Sequence, residues 1–516
     1  MSWQDDIDEL ARQKAMAHQM GGADNVAFHH GRGKLTVRER VDLLGDEGSF
    51  QEIGVLAGTP TWEGGTVTGL RPSNTIIGTC RVDGRKIAVS GGDFTIRGGA
   101  ADAAVGNKTR FIEDEALRAR LPYVRLLDAT GGSVRTFEQI GRTYIPDNPG
   151  GELATELLQV VPVVSAVMGS VAGLPAVQAC LCHFNVMVKR TSQVFVAGPA
   201  VVKEATGTEI TKEDLGDERV QLRNGVIMNL AEDEKDVVAQ IRRFLSYLPS
   251  SVWEAPPRIA PTDDPARREE SLIDLIPRDR RKIYDPYRVL EATLDRGSFF
   301  EMGLRYGRAR VTGLARVNGH PCGVMINHPK FNGGSMDVAA GEKTIRLVEL
   351  CDTFHLPLVY FADEPGFSVG PAHEAAGIVR AGARIVATLS ASRTPYVCFV
   401  LRQLYGVAGG LHRRTSGLYR RYAWPSAHWG SMHIEGGTTI AYKREIEAAA
   451  DPAAKRREIE ARLQAIASPF RNAHAFGVED IIDPRDTRPL LVDFIEDAVR
   501  VLATHLGPRA GLGYRP

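Results

Sequence analysis

PVVSAVMGSVAG, Pro162 to Gly173, has a counterpart in PYVCFVLRQLYG, Pro395 to Gly406, 233 positions further along the chain. Each copy is a proline, a β-branched apolar run of the length of a buried strand, and a closing glycine turn. The correspondence extends outward. LPYVRLLD at Leu121 to Asp128 matches LPLVYFAD at Leu356 to Asp363, and the paired glycines Gly98 and Gly333 share the same spacing of 235. GSF at Gly48 recurs at Gly297, 249 positions on, so the first copy carries extra loop residues. Ordered matches at nearly constant spacing define an internal duplication.

Within each copy the order is strand, paired glycine, helix, strand, glycine turn. IAVSGGDFTIRGGA is followed by the helical segment ADAAVGNKTRFIEDEAL, and GVMINHPKFNGGSM by GEKTIRLVELCDTF. The turns are ATGGS at 129–133 and EPGFS at 364–368. Units of this kind build layered α/β domains whose ligand sites lie at the carboxyl ends of the strands. The predicted organisation is a domain over 1–255, a Pro-rich and charged linker over 256–275 within and beyond VWEAPPRIAPTDDPARREE, and a domain over 276–516.

Charge is balanced, 63 Lys plus Arg against 63 Asp plus Glu, so no bulk field favours nucleic acid or an anionic membrane. Any anionic ligand must be held locally. Leu157 to Cys182 contains no charged residue over 26 positions. Its prolines and glycines read as strand, turn and helix start, not as a membrane span. Six scattered cysteines without a CxxC pair, and a polar start without a signal-like apolar stretch, point to the cytoplasm. The Cys180-x-Cys182-His183 cluster has no second ligand pair, and no metal is expected.

GKLTVRERVDLL, DGRKIAVSGGDFT, VMVKRTSQVFVAGPAVVKEATGTEITKEDLG, RFLSYLP, DEPGF and YAWPSA, in this order, make the chain resemble the carboxyltransferase (β) subunits of biotin-dependent acyl-CoA carboxylases, of the propionyl-CoA carboxylase type. The resemblance runs from about Gly31 to the C-terminus. It implies an α/β fold of two crotonase-like (ClpP/crotonase) β-β-α superhelix domains, which agrees with the duplication. It also implies dimers assembled into a homohexamer, with each active site shared between the first domain of one chain and the second of another.

The implied reaction moves a carboxyl group from carboxybiotin to the α-carbon of an acyl-CoA through an enolate. Such chemistry calls for backbone N–H donors aimed at developing oxygen charge more than for a side-chain base. By the resemblance, the first oxyanion turn falls on Gly173 and Leu174, and the second on Gly406, Val407 and Ala408. Both turns carry a branched residue, Leu174 or Val407, where the family has a second glycine. A positive φ there would strain Val407 by about 1–2 kcal/mol. The resemblance assigns the acyl-CoA side to Gly98, Gly99, Ala100, Gly131, Gly132 and Ser133, with Arg97 and Arg135 placed to meet phosphates. On the second domain, the biotin side, it assigns Gly366, Phe367 and Gly410.

Gly409-Gly410 replaces an aromatic and a residue linked to acyl-chain selectivity, which enlarges the expected acyl pocket. The run His412, Arg413, Arg414, Arg420, Arg421 reads either as a fork for an anionic substrate group or as a solvated face. His183 and His433 are lone histidines, of the kind that usually serve structure. The chain has no Met-Lys-Met biotinylation motif, no ATP-grasp-like glycine loop and no zinc ribbon. The expected partners are therefore a biotin carboxylase and a biotin carboxyl carrier subunit (the α chain). Two other readings stay open: biotin-independent decarboxylation or hydrolysis of an acyl-CoA, and a non-catalytic assembly subunit.

Overall fold

Val163–Ala172 and Tyr396–Tyr405, ten residues each, are the central strands of two eight-stranded sheets, and almost every side chain along them is buried. Burial on both faces explains their continuous apolar character, since helices and turns cover a parallel sheet on each side. The computed structural model describes residues 2–145, 151–279, 282–412, 417–509 and 513–516. The chain divides into two units, Met1–Glu254 with Tyr514–Pro516, and Ala255–Gly513.

In the first unit the strand order is 51–53, 75–82, 85–92, 123–129, 163–172, 184–188 and 229–231, with 193–195 also pairing 163–172. The hairpin 75–82/85–92 is antiparallel; from Arg85–Gly92 onward the sheet is parallel. The second unit repeats this order with 300–301, 310–317, 320–327, 358–364, 396–405, 419–423 and 480–481, and 428–430 again branching off the central strand. Both are crotonase-like β-β-α superhelix domains, and strand matches strand through the duplication.

Local sequence explains the flanking elements. The helix Val37–Leu44 begins in a capping box, where Thr36 and Glu39 each bond the other's backbone N–H, and it buries Val37, Val41 and Leu44. The helix Glu234–Ser246 buries Val237, Val238, Ile241, Phe244 and Leu245 along one stripe, and Phe244 stacks on Phe184 with centroids 4.9 Å apart. In the second unit Trp424, Val397, Phe399, Leu491 and Phe494 form the core, and the Trp424 indole N–H donates to Thr487 Oγ1.

Two expectations need correction. The segment ADAAVGNKTRFIEDEAL is helical only from Lys108: a 3-10 turn at Ala101–Ala103 and Gly106, at φ +61°, hold back the helix start. Within the basic run, Arg420 and Arg421 do not share one face of their strand. His412 is buried, Arg420 and Arg421 alternate along the strand Tyr419–Ala423, and Arg413 and Arg414 lie outside the described residues. The uncharged stretch 157–182 divides into a helix end, a strand and the helix Leu174–Cys180, and no described helix is long and apolar enough to cross a membrane.

Candidate active site

The parallel strands 85–92, 123–129 and 163–172 bring their carboxyl ends, and hence three glycine turns, to one edge of the first sheet. Ala100 forms a β-bridge with Gly131, and Ala101 N–H donates to Gly131 O at 2.8 Å. A Cβ on Gly131 would lie 2.6 Å from Ala172 O, so only glycine lets these turns meet. Gly98, Gly99, Ala100, Gly131 and Gly173 thus converge within one unit. Gly132 and Ser133 continue outward to Arg135, which is exposed. Arg97 is held instead by an ion pair with Asp102.

Gly173, at φ +67° and ψ −134°, turns the chain from the strand into the helix Leu174–Cys180. Its own N–H is taken by Val196 O at 3.1 Å. Leu174 N–H, at the first helical position, has no intrahelical acceptor. That makes Leu174 the available donor of the pair, and its side chain is 48 % exposed.

The second unit repeats the arrangement. Met336 bridges Phe367, Met336 N–H donates to Gly366 O at 3.0 Å, and Ser368 N–H returns to Met336 O at 3.0 Å. Gly406, at φ +62°, opens the short helix Gly406–Gly410, with Val407 exposed and Ala408 buried. Neither Leu174 nor Val407 has a positive φ. The strain expected at Val407 is therefore absent: the single preceding glycine makes the reversal and the next residue is already helical. His433 joins this site, its ring 4.0 Å from that of Tyr405 and its Nε2 3.1 Å from Pro365 O.

Beneath each edge lie buried carboxylates already committed to cations. Asp128 meets Lys34 at 2.6 Å and Arg40 at 3.1 Å, and Arg40 also pairs with Glu234. Burial lowers the Lys34 pKa. Asp363, the duplicate of Asp128, meets Arg402 at 2.9 Å and accepts from Gln403 N–H, while Glu364 pairs with Arg310. These pairs hold the strand ends in place. His183 is also structural: fully buried, it accepts from Val163 N–H at Nδ1 and sits 3.0 Å from Leu158 O at Nε2, and burial lowers its pKa to about 3. Among the described residues no group of His, Cys, Asp and Glu is arranged to hold a metal ion.

A cavity of about 180 Å³ adjoins the second turn, lined by Gly406, Gly409, Gly410, Arg421, Trp429 and Asn472 among others. Trp429 and Asn472 had no signal in the sequence. They reach the cavity from the strand His428–Gly430 and the helix Pro469–His474, far along the chain from the turn they approach.

Two duplicated crotonase-like domains, each with a glycine turn at the end of its central strand, frame the site, and comparison with known proteins identifies the family. The carboxyl transferase domain family model matches residues 28–502. A propionyl-CoA carboxylase carboxyltransferase subunit from Haloferax mediterranei is 36% identical over 499 residues, covering 95% of this chain and 96% of that protein. Methylmalonyl-CoA decarboxylase subunit alpha from Veillonella parvula is 32% identical over 514 residues, covering 98% and 97%. The crystal structure of transcarboxylase 12S, a hexamer with methylmalonyl-coenzyme A bound, superposes with a TM-score of 0.88 at 29% identity over 100% of this chain and 98% of that one. The chain belongs to the carboxyl transferase family, the carboxyltransferases of biotin-dependent acyl-CoA carboxylases, and is an enzyme that transfers carboxyl groups.

Proposed function

We propose that this chain transfers a carboxyl group between biotin carried on a partner protein and the α-carbon of an acyl-CoA, using the Leu174 and Gly406–Ala408 turns as two backbone oxyanion holes. The observation that carries this reading is the repeated geometry: a positive-φ glycine, Gly173 or Gly406, ends each central strand and leaves first-turn N–H groups without intrahelical acceptors. Donors of this kind, fixed before reaction, stabilise developing oxygen charge, and loss of one costs about 10²–10³-fold in rate in other enzymes.

Leu174 N–H is the donor for the acyl carbonyl oxygen as it becomes an enolate. The turns at Gly98–Ala100 and Gly131–Ser133 let backbone approach the pantetheine, and Arg135 serves the phosphates. The backbone N–H groups of Gly406, Val407 and Ala408, with Gly366 and Phe367 beside them, donate to the biotin ureido carbonyl. The uncompensated N–H groups and the absence of any side chain at Gly406 fit so compact an acceptor. Biotin supplies the carboxyl group and, after it leaves, a nitrogen able to take the α-proton. A biotin carboxylase and a biotin carboxyl carrier subunit load it. The hexamer of the transcarboxylase 12S supports the same assembly here.

The test combines the purified chain with a biotin carboxylase and a biotinyl carrier of shown activity, over a panel of acyl-CoA thioesters. Avidin-sensitive carboxylation is expected, and no turnover across the panel would overturn the reading. The decarboxylase from V. parvula favours one alternative, release of CO2 from a carboxylated acyl-CoA. Avidin-insensitive decarboxylation would select it.

A further inference from the structure

Both paired-glycine turns open on a non-glycine residue in left-handed backbone. Arg97 has φ +53° ahead of Gly98 and Gly99 at +62° and +69°, and Asn332 has φ +49° ahead of Gly333 and Gly334 at +61° and +87°. Glycine adopts this conformation freely and asparagine tolerates it, whereas a long side chain resists it. Of the two, Arg97 is the residue that most needs holding.

The two units hold this position differently. In the second, the Asn332 side-chain amide donates to Ser368 Oγ in the 364–368 turn. In the first, the Arg97 guanidinium pairs with Oδ2 of Asp102, on the 3-10 turn Ala101–Ala103 that follows the glycines. The Asp102 side chain is buried, and its Oδ1 has no hydrogen-bond partner among the described residues. A buried carboxylate with so little else to offset its charge draws the guanidinium in. The Asp102 carbonyl accepts from Gln139 Nε2 at 3.0 Å, which fixes the 3-10 turn against the helix Arg135–Ile140.

From this turn the path to the Leu174 donor is short. Thr130 Oγ1 donates to Gly98 O at 3.0 Å, Ala100 bridges Gly131, and a Cβ on Gly131 would lie 3.6 Å from Gly173 Cα. Leu174 N–H is the next group along. A shift of the Gly98–Ala100 turn therefore moves the backbone that meets the pantetheine and presses on the residue that leads into Leu174.

We propose that Asp102 is a positioning residue for acyl-CoA: through Arg97 it holds the left-handed Gly98–Ala100 turn in the shape that seats the pantetheine arm, and Arg97 is a brace, not a phosphate ligand. The inference rests on the reading of this turn as the acyl-CoA side of a transferase. The duplication supplies the check. Positions 97 and 133 each stand 235 before 332 and 368, so an asparagine at 97 is placed to reach Ser133 as Asn332 reaches Ser368, with no need of Asp102.

The experiment measures calorimetric binding of propionyl-CoA, and of propionyl-pantetheine, which lacks the nucleotide. The full chain is compared as wild type, Asp102→Asn and the double variant Arg97→Asn/Asp102→Asn, beside carboxyl transfer with the partner proteins present. Asp102→Asn is expected to weaken both ligands by the same factor, at least about 10-fold, and the double variant to bind both within about 3-fold of wild type. A loss that came from general destabilisation would not be repaired at position 97. A change under about 2-fold in Asp102→Asn, a loss confined to propionyl-CoA, or a double variant as weak as Asp102→Asn would overturn the proposal, the second by showing that Arg97 serves the phosphates. If Asp102→Asn alone does not fold, the double variant decides: binding within about 3-fold of wild type upholds the brace, and a loss of about 10-fold or more overturns it. The expected binding pattern without any carboxyl transfer would uphold the brace and overturn the transferase reading instead.

Discussion

His433 Nε2 lies 3.1 Å from the carbonyl oxygen of Pro365 while its ring packs, tilted by 37°, against that of Tyr405, so one imidazole ties the 364–368 turn to the strand end that carries Gly406. It acts as a positioning residue. His433→Ala should lower kcat about 10-fold while KM for the acyl-CoA and the melting temperature change little, because the ring is only half-buried. His433→Gln, which keeps a donor within reach of Pro365 O, should recover part of kcat. Equal losses in both variants, or a change confined to KM, would contradict this role.

Gly406 and Gly410 bound the same five-residue helix but have different reasons to be glycine. Alanine at 406 meets no atom closer than Ser431 O at 3.6 Å, so its cost is the positive φ alone, about 1–2 kcal/mol. Gly406→Ala should therefore fold, melt a few degrees lower and lose about 10²-fold in carboxyl transfer as the donors turn away. Gly410→Ala should be neutral or slightly stabilising. Thermal melts beside initial rates measure both, and unchanged transfer in Gly406→Ala would remove the turn from the mechanism.

Asp128 is fully buried between Lys34 and Arg40. Asp128→Ala leaves the buried Lys34 without its counter-charge and Arg40 with Glu234 alone, and the loss should reach about 3–5 kcal/mol in a urea or thermal melt. Asp363→Ala, which takes the carboxylate away from the buried Arg402, should cost a similar amount. A change below about 1 kcal/mol in either would show that solvent replaces the carboxylate.

Folded His183 titrates at about 3 because burial opposes its charge, against an unfolded value near 6.5. The unfolded chain binds the extra proton between these values, so stability is full above pH 6.5 and falls as the pH drops toward 3. The slope from this group is at most about 1.4 kcal/mol per pH unit. His183→Gln, able to accept from Val163 N–H and donate to Leu158 O, should flatten it. His29, lowered to about 4 by burial, keeps its own share in both proteins. Parallel stability curves for wild type and His183→Gln between pH 4 and 7 would show that His183 is not the source.

The sequence by itself determined the duplication, the two central strands and the glycine turns that close them. These are local features: a β-branched apolar run specifies a doubly covered strand wherever it occurs, and Gly173 and Gly406 mark a reversal that side chains resist. Only the tertiary structure decided that Leu174 and Val407 sit in unstrained helical backbone, that Gly173 N–H is taken by Val196 O, and that Arg421, Trp429 and Asn472 face one cavity. The reason is physical. Parallel crossovers carry the chain tens of residues away between neighbouring strands, so the side chains that meet at a strand end are set by sheet order and register, which no short stretch of sequence encodes.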